Sequence, residues 1–249
     1  MTTTNGTTRR TVLAGAVAGA ALGAAAGAAH AAEPAGPHVG ILLYDRFSLL
    51  DPTGPAEVLS RLPGATVTMI GERRGPVRTD TGDVSLLADR AVDEVRRLDV
   101  LLVPGGSERG TVAAMENPVL LDFVRRIDRH TRWTTSVCTG SLVLGAAGLL
   151  RDRATTYWAS AGYLESAFGV TYVPERYVVS GKVVTSAGVS AGIDLALFLA
   201  AELSDETTAR GIQLAVEYDP HPPFDSGNAA DATPELKALA LRLLADSQT

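Results

Sequence analysis

The sequence predicts a single-domain three-layer α/β/α sandwich on a mostly parallel sheet, with one cysteine presented at a strand-to-helix turn. Three observations lead there. Short, uninterrupted apolar runs alternate with segments of helical length, the pattern of strands buried on both faces. No linker divides the chain after Pro37. The composition is 46% hydrophobic and 20% charged but only 5% aromatic, so small aliphatic residues fill the interior and let helices lie close on a sheet.

Taken in order, residues 32–37 are a linker and residues 38–249 the folded domain. Residues 38–44 (HVGILLY) predict the first buried strand. Residues 51–62 predict a helix, with Asp51 near its start and Pro52 in the first turn, where a missing N–H costs nothing. Residues 65–71 (ATVTMIG) predict a second strand, residues 76–87 a strand pair turning at 80–82, and residues 91–97 a short helix. Residues 99–103 (DVLLV) predict a buried strand closed by Pro104-Gly105-Gly106. Residues 118–130 predict a helix capped by Asn117. Residues 133–137 are the strand before the cysteine and residues 140–150 the small-residue helix after it. Residues 159–168 predict a helix and residues 177–186 a hairpin turning at Ser180-Gly181. Helices over 192–203, 205–218 and 235–245 complete the chain, with a Pro/Gly/Asp-rich surface arm over 220–233.

Residues 1–31 stand apart and read as an export signal. Arg9 and Arg10 precede a weakly apolar Ala/Gly run, and Ala29-His30-Ala31 is a small-x-small cleavage site. Thr8 before the pair and Leu13 after it are similar to a twin-arginine signal, which would engage export machinery through Arg9 and Arg10 and place the protein outside the cytoplasm. The run is too short and too glycine-rich to anchor the mature protein in a membrane. Its removal takes two of the 22 basic residues and none of the 28 acidic ones, so the mature chain is more acidic than the net −6 of the whole. Phosphate contacts need a positive face, so nucleic acid is disfavoured as a partner.

Cys138 is the only cysteine, within SVCTGSLVLGAAGLL (residues 136–150). A lone cysteine is most often packing. Two features favour chemistry: the position is a turn, and an exported chain has no second cysteine with which this one could pair. A strand-to-helix turn lifts a nucleophile out of the sheet, and the following helix offers N–H groups and a positive dipole end to a thiolate. The expectation is a partly accessible thiol with its pKa below the free-thiol value of about 8.5. In a sheet of this kind ligands bind beyond the carboxyl ends of the strands. The loop to Asp51, Gly105-Gly106 and Cys138 would meet there.

Those three segments resemble the PfpI-type branch of the class I glutamine amidotransferase-like superfamily, in the form of its isonitrile hydratases. The stretches are LLDPTGPAEVL (49–59), LLVPGGSERGT (101–111), the cysteine segment, RATTYW (153–158), SAGVSAGIDLAL (186–197) and QLAVEYDPHPPFDSG (213–227). The resemblance covers essentially all of residues 38–245. The resemblance implies a flavodoxin-like fold, a homodimer, a small-molecule substrate, and no metal or organic cofactor. The sequence holds no Cys/His ligand cluster either.

Many members of the superfamily have histidine after the cysteine; here Thr139 follows. His38, His130 and His221 fall on a first strand, a helix end and the surface arm, so a Cys–His pair is missing. An aspartate at a helix start is usually a cap. The resemblance instead makes Asp51 the proton donor and acceptor beside the Cys138 nucleophile, a pair whose titrations would be coupled. The amides of Gly105, Gly106 and Thr139 could receive developing negative charge. The Thr139 hydroxyl could donate to the site or cap the helix, and both readings stay open. The implied reaction adds Cys138 to the terminal carbon of an isonitrile, forms a thioimidate, and hydrolyses it to an N-substituted formamide. Two departures bear on specificity: Tyr157 stands where histidine is common, and Ser186-Ala187-Gly188 replaces a run of glycines, which implies a bulkier pocket wall.

Three other functions compete. A peptidase or glyoxalase-like hydrolase would want the missing histidine. A ligand-sensing regulator would need a DNA-binding module, for which the residues after Tyr218 are too few and not basic. A redox sensor or scavenger would use the same thiol.

Overall fold

The computed structural model describes residues 36–248. The export-signal expectation over residues 1–31, with Arg9 and Arg10, lies outside the described residues, as does most of the linker.

The first half of the domain runs β1 (His38–Leu43), α1 (Leu50–Leu59), β2 (Thr66–Gly71), the hairpin β3 (Gly75–Arg78) and β4 (Ser85–Ala88), β5 (Arg90–Ala91), β6 (Val100–Val103), α2 (Glu108–Glu116) and α3 (Pro118–Asp128). The second half runs β7 (Trp133–Val137), α4 (Gly140–Ala146), β8 (Arg153–Ala154), a 3₁₀ turn at Trp158–Ser160, α5 (Ala161–Phe168), β9 (Thr171–Tyr172), the hairpin β10 (Tyr177–Ser180) and β11 (Val183–Ser186), α6 (Ala191–Leu203), α7 (Glu206–Ala215) and α8 (Pro234–Ser247).

Seven strands form one sheet in the order β10-β11-β7-β6-β1-β2-β5. β10 pairs antiparallel with β11, and the other pairings are parallel. Side chains alternate between the faces along each central strand. Val39 and Ile41 of β1 and Val100 and Leu102 of β6 face α1, α6 and α7, meeting Val58, Leu195 and Leu199. Leu42, Leu101 and Val103 face the other side, meeting Phe123, Val124, Ile127 and Leu144. Both faces are therefore covered, as the continuous apolar strands predict. β1 lies between β2 and β6, so the chain leaves it in opposite directions. The crevice at that reversal, beyond the carboxyl ends of β1 and β6, is where such sheets place a ligand.

Several elements differ from expectation, among them the short paired strands β8 and β9, which the sequence pattern does not predict. Residues 91–97 are not a helix. Ala91 pairs with Gly71 as a strand, and the Arg126 guanidinium donates to the carbonyls of Val92 and Val95 at 2.8 and 2.7 Å. A long-range donor thus satisfies oxygens that a helix would have used internally. Conversely, α2 follows Pro104-Gly105-Gly106 directly. Ser107 caps it by accepting from the Gly110 N–H at 3.2 Å.

Candidate active site

β7 ends at Val137 and α4 begins at Gly140, so Cys138 occupies the turn between them. Its φ is +57°, a left-handed backbone that a side chain rarely adopts. Neighbours hold it there from both sides. The Cys138 N–H donates to the carbonyls of Ser186 and Ala187 at 3.1 and 3.0 Å. The Cys138 carbonyl accepts from the hydroxyls of Ser141 and Thr156 at 3.1 and 3.2 Å. Strain of this kind persists only where the surroundings over-determine it, and it aims the side chain out of the sheet.

Asp51 sits in the first turn of α1 but does not cap it: the helix has no side-chain cap. Its carboxylate instead accepts the Gly105 N–H at 2.7 Å across 54 residues of sequence. The residue is fully buried, and the second oxygen, Oδ1, has no partner. Burial pushes the carboxyl up from 3.8 to about 7. The Gly105 hydrogen bond opposes that rise, and the charge of Asp80 adds to it.

Asp80 is itself buried, accepting from the Ser48 hydroxyl at 2.9 Å and the Thr81 N–H at 3.0 Å. Ser48 in turn donates its N–H to the Gly105 carbonyl at 2.9 Å. The loops after β1 and β6 are thereby stitched together above the crevice.

The thiol is a correction. Cys138 is only 5% exposed, and burial pushes its pKa above the ordinary thiol value. The charge of Asp51 pushes the same way, while the N–H groups of Thr139 and Val189 and the Thr139 hydroxyl hold it down. A helix terminus is a local, partial charge. Desolvation acts on the whole thiolate and outweighs it. The resting site therefore carries at most one negative charge, on Asp51, beside a protonated thiol.

The roles of the two glycine amides also change. The Gly105 N–H is committed to Asp51 and the Gly106 N–H to Thr139 Oγ1 at 3.0 Å. The amides facing the sulfur belong to Thr139 and Val189, and Val189 has a φ of +31°. Thr139 does not cap α4 with its side chain. Its hydroxyl meets Gly106 and the Thr111 hydroxyl, the latter at 2.9 Å.

Gly105 has a steric reason for its identity. A Cβ there would lie 2.7 Å from Cys138 Cβ, Thr139 N and Thr139 Oγ1. Gly105→Ala is expected to lower stability by about 1–3 kcal/mol, as overpacking does, and to displace Asp51 from its donor. A thermal melt reads the first effect and Cys138 alkylation the second; wild-type values for both would refute the close contact.

The remaining expected positions are also placed. Tyr157 is half-buried. Cys138 acts on it electrostatically, and its ring is 5.4 Å from that of Trp158. Ser186 does not bulk the pocket wall: its side chain is buried and donates to the Ser136 carbonyl at 3.1 Å, tying β11 to β7. His38, His130 and His221 are all exposed. An open cleft of about 340 Å³ between the ends of β1 and β2 and α2 is lined by Tyr44, Arg73 and Asn117 among others, and by neither Cys138 nor Asp51. Among the described residues no group of three His, Cys, Asp or Glu side chains has the arrangement of a metal site.

Sequence reasoning missed Val189, Ser48, Asp80 and Thr111. Val189 falls within the SAGVSAGID stretch and Thr111 ends the LLVPGGSERGT stretch, both of which carry the resemblance. Nothing in the sequence distinguishes Ser48 and Asp80 from ordinary loop residues.

Comparison with known proteins identifies the family and the fold. The DJ-1/PfpI family profile matches residues 37–202. The chain is 45% identical over 191 residues to isonitrile hydratase of Pseudomonas putida, covering 76% of this chain and 82% of that enzyme. It is 36% identical over 145 residues to the HTH-type transcriptional regulator CdhR of Pseudomonas aeruginosa, covering 57% of this chain but 40% of the regulator. A crystal structure of a ThiJ/PfpI family protein from Pseudomonas syringae superposes with a TM-score of 0.79 at 35% identity, covering 85% of this chain and 87% of the other.

Proposed function

This chain belongs to the DJ-1/PfpI family, and we propose that within it the protein hydrates an isonitrile to an N-substituted formamide, with Cys138 as nucleophile and Asp51 as proton carrier. The observation that carries the reading is the buried Asp51 carboxyl. It is anchored through one oxygen, free at the other, and close enough to Cys138 for its charge to act on the thiol. The similarity to an isonitrile hydratase supplies the substrate class.

Cys138 Sγ attacks the terminal carbon of R–N≡C. The S–H bond breaks, a C–S bond forms, and the proton passes by way of Asp51 to the same carbon, leaving the thioimidate R–N=CH–S–Cys138. Water then adds to that carbon: Asp51 accepts one of its protons and passes it to nitrogen. The C–S bond breaks as the proton of the added hydroxyl passes by way of Asp51 to sulfur, and R–NH–CHO leaves. A carboxyl titrating near 7 suits a group that must donate and then accept. The raised thiol is consistent with this order: sulfur gives up its proton only as the substrate arrives.

The competing functions fit less well. A sensor thiol is accessible and held low, whereas Cys138 is buried and pushed up. A hydrolase working through a Cys–His pair would need an imidazole at the sulfur, and the described histidines are exposed. The direct test is incubation with a simple isonitrile, following formamide by chromatography. Absence of turnover by folded protein refutes the reading.

Thr139→Val tests the supporting role. The backbone amide facing the sulfur survives, but the hydroxyl joining Gly106 to Thr111 is lost. The expected cost is about 10-fold in turnover, with about 1–3 kcal/mol of stability lost for the unpaired Gly106 amide. A loss as large as that of the nucleophile would make the hydroxyl a reacting group instead.

A further inference from the structure

Asp80 is a second buried carboxyl near the reacting pair, and the reaction gives it no task of its own. Both its oxygens are engaged. Oδ2 accepts from the Ser48 hydroxyl at 2.9 Å and Oδ1 from the Thr81 N–H at 3.0 Å, with Gln248 Nε2 at 3.5 Å from Oδ2. Asp51, by contrast, keeps Oδ1 unpaired. Among the described residues no Lys, Arg or His forms an ion pair with either carboxyl. The Cys138 thiol and the Tyr44 phenol are the other titratable groups that sense Asp51, and Tyr44 senses Asp80 as well. Residues 46–48 hold the two carboxyls in register. Phe47 is fully buried and bridges Thr79 on one side and Gly106 on the other. The Arg46 N–H donates to the Arg78 carbonyl at 2.8 Å and the Asp80 N–H to the Phe47 carbonyl at 2.9 Å. Ser48 then joins the pair. Its hydroxyl donates to Asp80, its N–H donates to the Gly105 carbonyl, and the Gly105 N–H donates to Asp51. Backbone bonds fix the place of this loop, so what the Asp80 side chain adds is a fixed negative charge.

We propose that Asp80 is a positioning residue for the reaction, one that through Ser48 and its own charge keeps Asp51 the carboxyl that holds the exchangeable proton. The inference rests on the reading of Asp51 as proton carrier. Two like charges in one water-poor site disfavour each other, so one carboxyl of such a pair holds its proton more tightly. Hydrogen bonds to the charged form decide which. Asp80, with both oxygens satisfied, keeps the charge. Asp51, with one oxygen free, takes the proton. Two carboxyls in different surroundings thereby take different roles. A carboxylate held beside a fixed negative charge is also the stronger base toward the Cys138 thiol.

NMR titration of the Asp51 carboxyl carbon, assigned by its absence from Asp51→Asn, follows the proton without any substrate. Asp80→Asn keeps an oxygen for the Ser48 hydroxyl and removes the charge. In that variant the Asp51 midpoint should fall by about one pH unit, the scale on which a nearby charge acts. The acid limb of kcat/KM for a simple isonitrile should move down with it, since that limb reports the free enzyme. One pH unit below the wild-type midpoint, the variant should then keep about fivefold more of its own plateau rate than the wild type keeps of its plateau. A purely structural role lowers the plateau and leaves both midpoints in place. An unmoved Asp51 midpoint in folded Asp80→Asn overturns the proposal. The wild type gives a reading without mutation: the Asp80 carboxyl carbon should show an inflection at the Asp51 midpoint, because interacting carboxyls titrate as a pair. Its absence overturns the proposal equally. A shifted Asp51 midpoint in a protein that turns over no isonitrile supports the coupling of the two carboxyls and refutes the substrate instead.

Discussion

Cys138→Ser is expected to lower formamide production by roughly 10⁴-fold or more, the scale on which removing a nucleophile acts. The backbone geometry survives, because the strained turn is held by hydrogen bonds to the Cys138 N–H and carbonyl and not by the sulfur. The chemistry does not survive. A serine hydroxyl ionises far less readily than a thiol, and among the described residues no imidazole stands by to deprotonate it. Chromatographic assay of the folded variant reads the turnover. Mass spectrometry of trapped wild type should show the isonitrile mass added at Cys138, absent in the serine variant. Substantial turnover by Cys138→Ser would remove the thioimidate from the mechanism.

Asp51→Asn should move two observables in opposite directions. Turnover should fall by roughly 10²–10⁴-fold, because an amide cannot donate and then accept a proton. The Gly105 N–H keeps an acceptor, so the loop geometry is preserved. The stability of the variant relative to the wild type should rise at alkaline pH. The folded carboxyl titrates at about 7 against an ordinary 3.8, so between those values the folded protein binds more protons than the unfolded chain. Stability therefore falls as pH rises through that window, and the penalty is complete above about pH 7, at a few kcal/mol. Below the unfolded value both states are protonated and the group contributes nothing. The asparagine variant lacks this term. Its melting temperature should match the wild type near pH 4 and exceed it increasingly toward pH 8. Parallel pH profiles for the two proteins would show that Asp51 is not held protonated by burial. Full turnover by the variant would end its role as proton carrier.

Thermal stabilisation alongside lost activity would mark Asp51 as a group kept at a cost to the fold. A buried carboxylate with an unpaired oxygen is otherwise difficult to account for.

The order and kind of the main elements were legible from residues 38–245 because they follow local rules. The run WTTSV over Trp133–Val137 is a strand at its expected bounds, and Asn117 caps α3 from the position its side chain requires. The hairpin between β10 and β11 turns at Gly181, whose φ of +62° needs no Cβ to be accommodated. Both proposed reacting groups were also readable, Cys138 from its turn and Asp51 from the resemblance its segment carries. Helix α2 was hidden because Pro104-Gly105-Gly106 reads as a loop, and only Ser107 signals the start. Residues 91–97 misled in the other direction, since the donor that occupies their carbonyls, Arg126, lies on another element.

What the tertiary structure decided was the electrostatics. The helix following Cys138 is visible in the sequence and predicts a lowered thiol pKa. Desolvation is a sum over everything packed around the sulfur, and it reverses the sign. The same holds for the two glycines. Their backbone freedom is a property of the residue, but the commitment of their N–H groups to Asp51 and Thr139 arises only when the ends of β1, β6 and β7 meet. Local propensity determined which elements form. Long-range packing determined which protons they hold, because a group's charge depends on every neighbour that replaces its water.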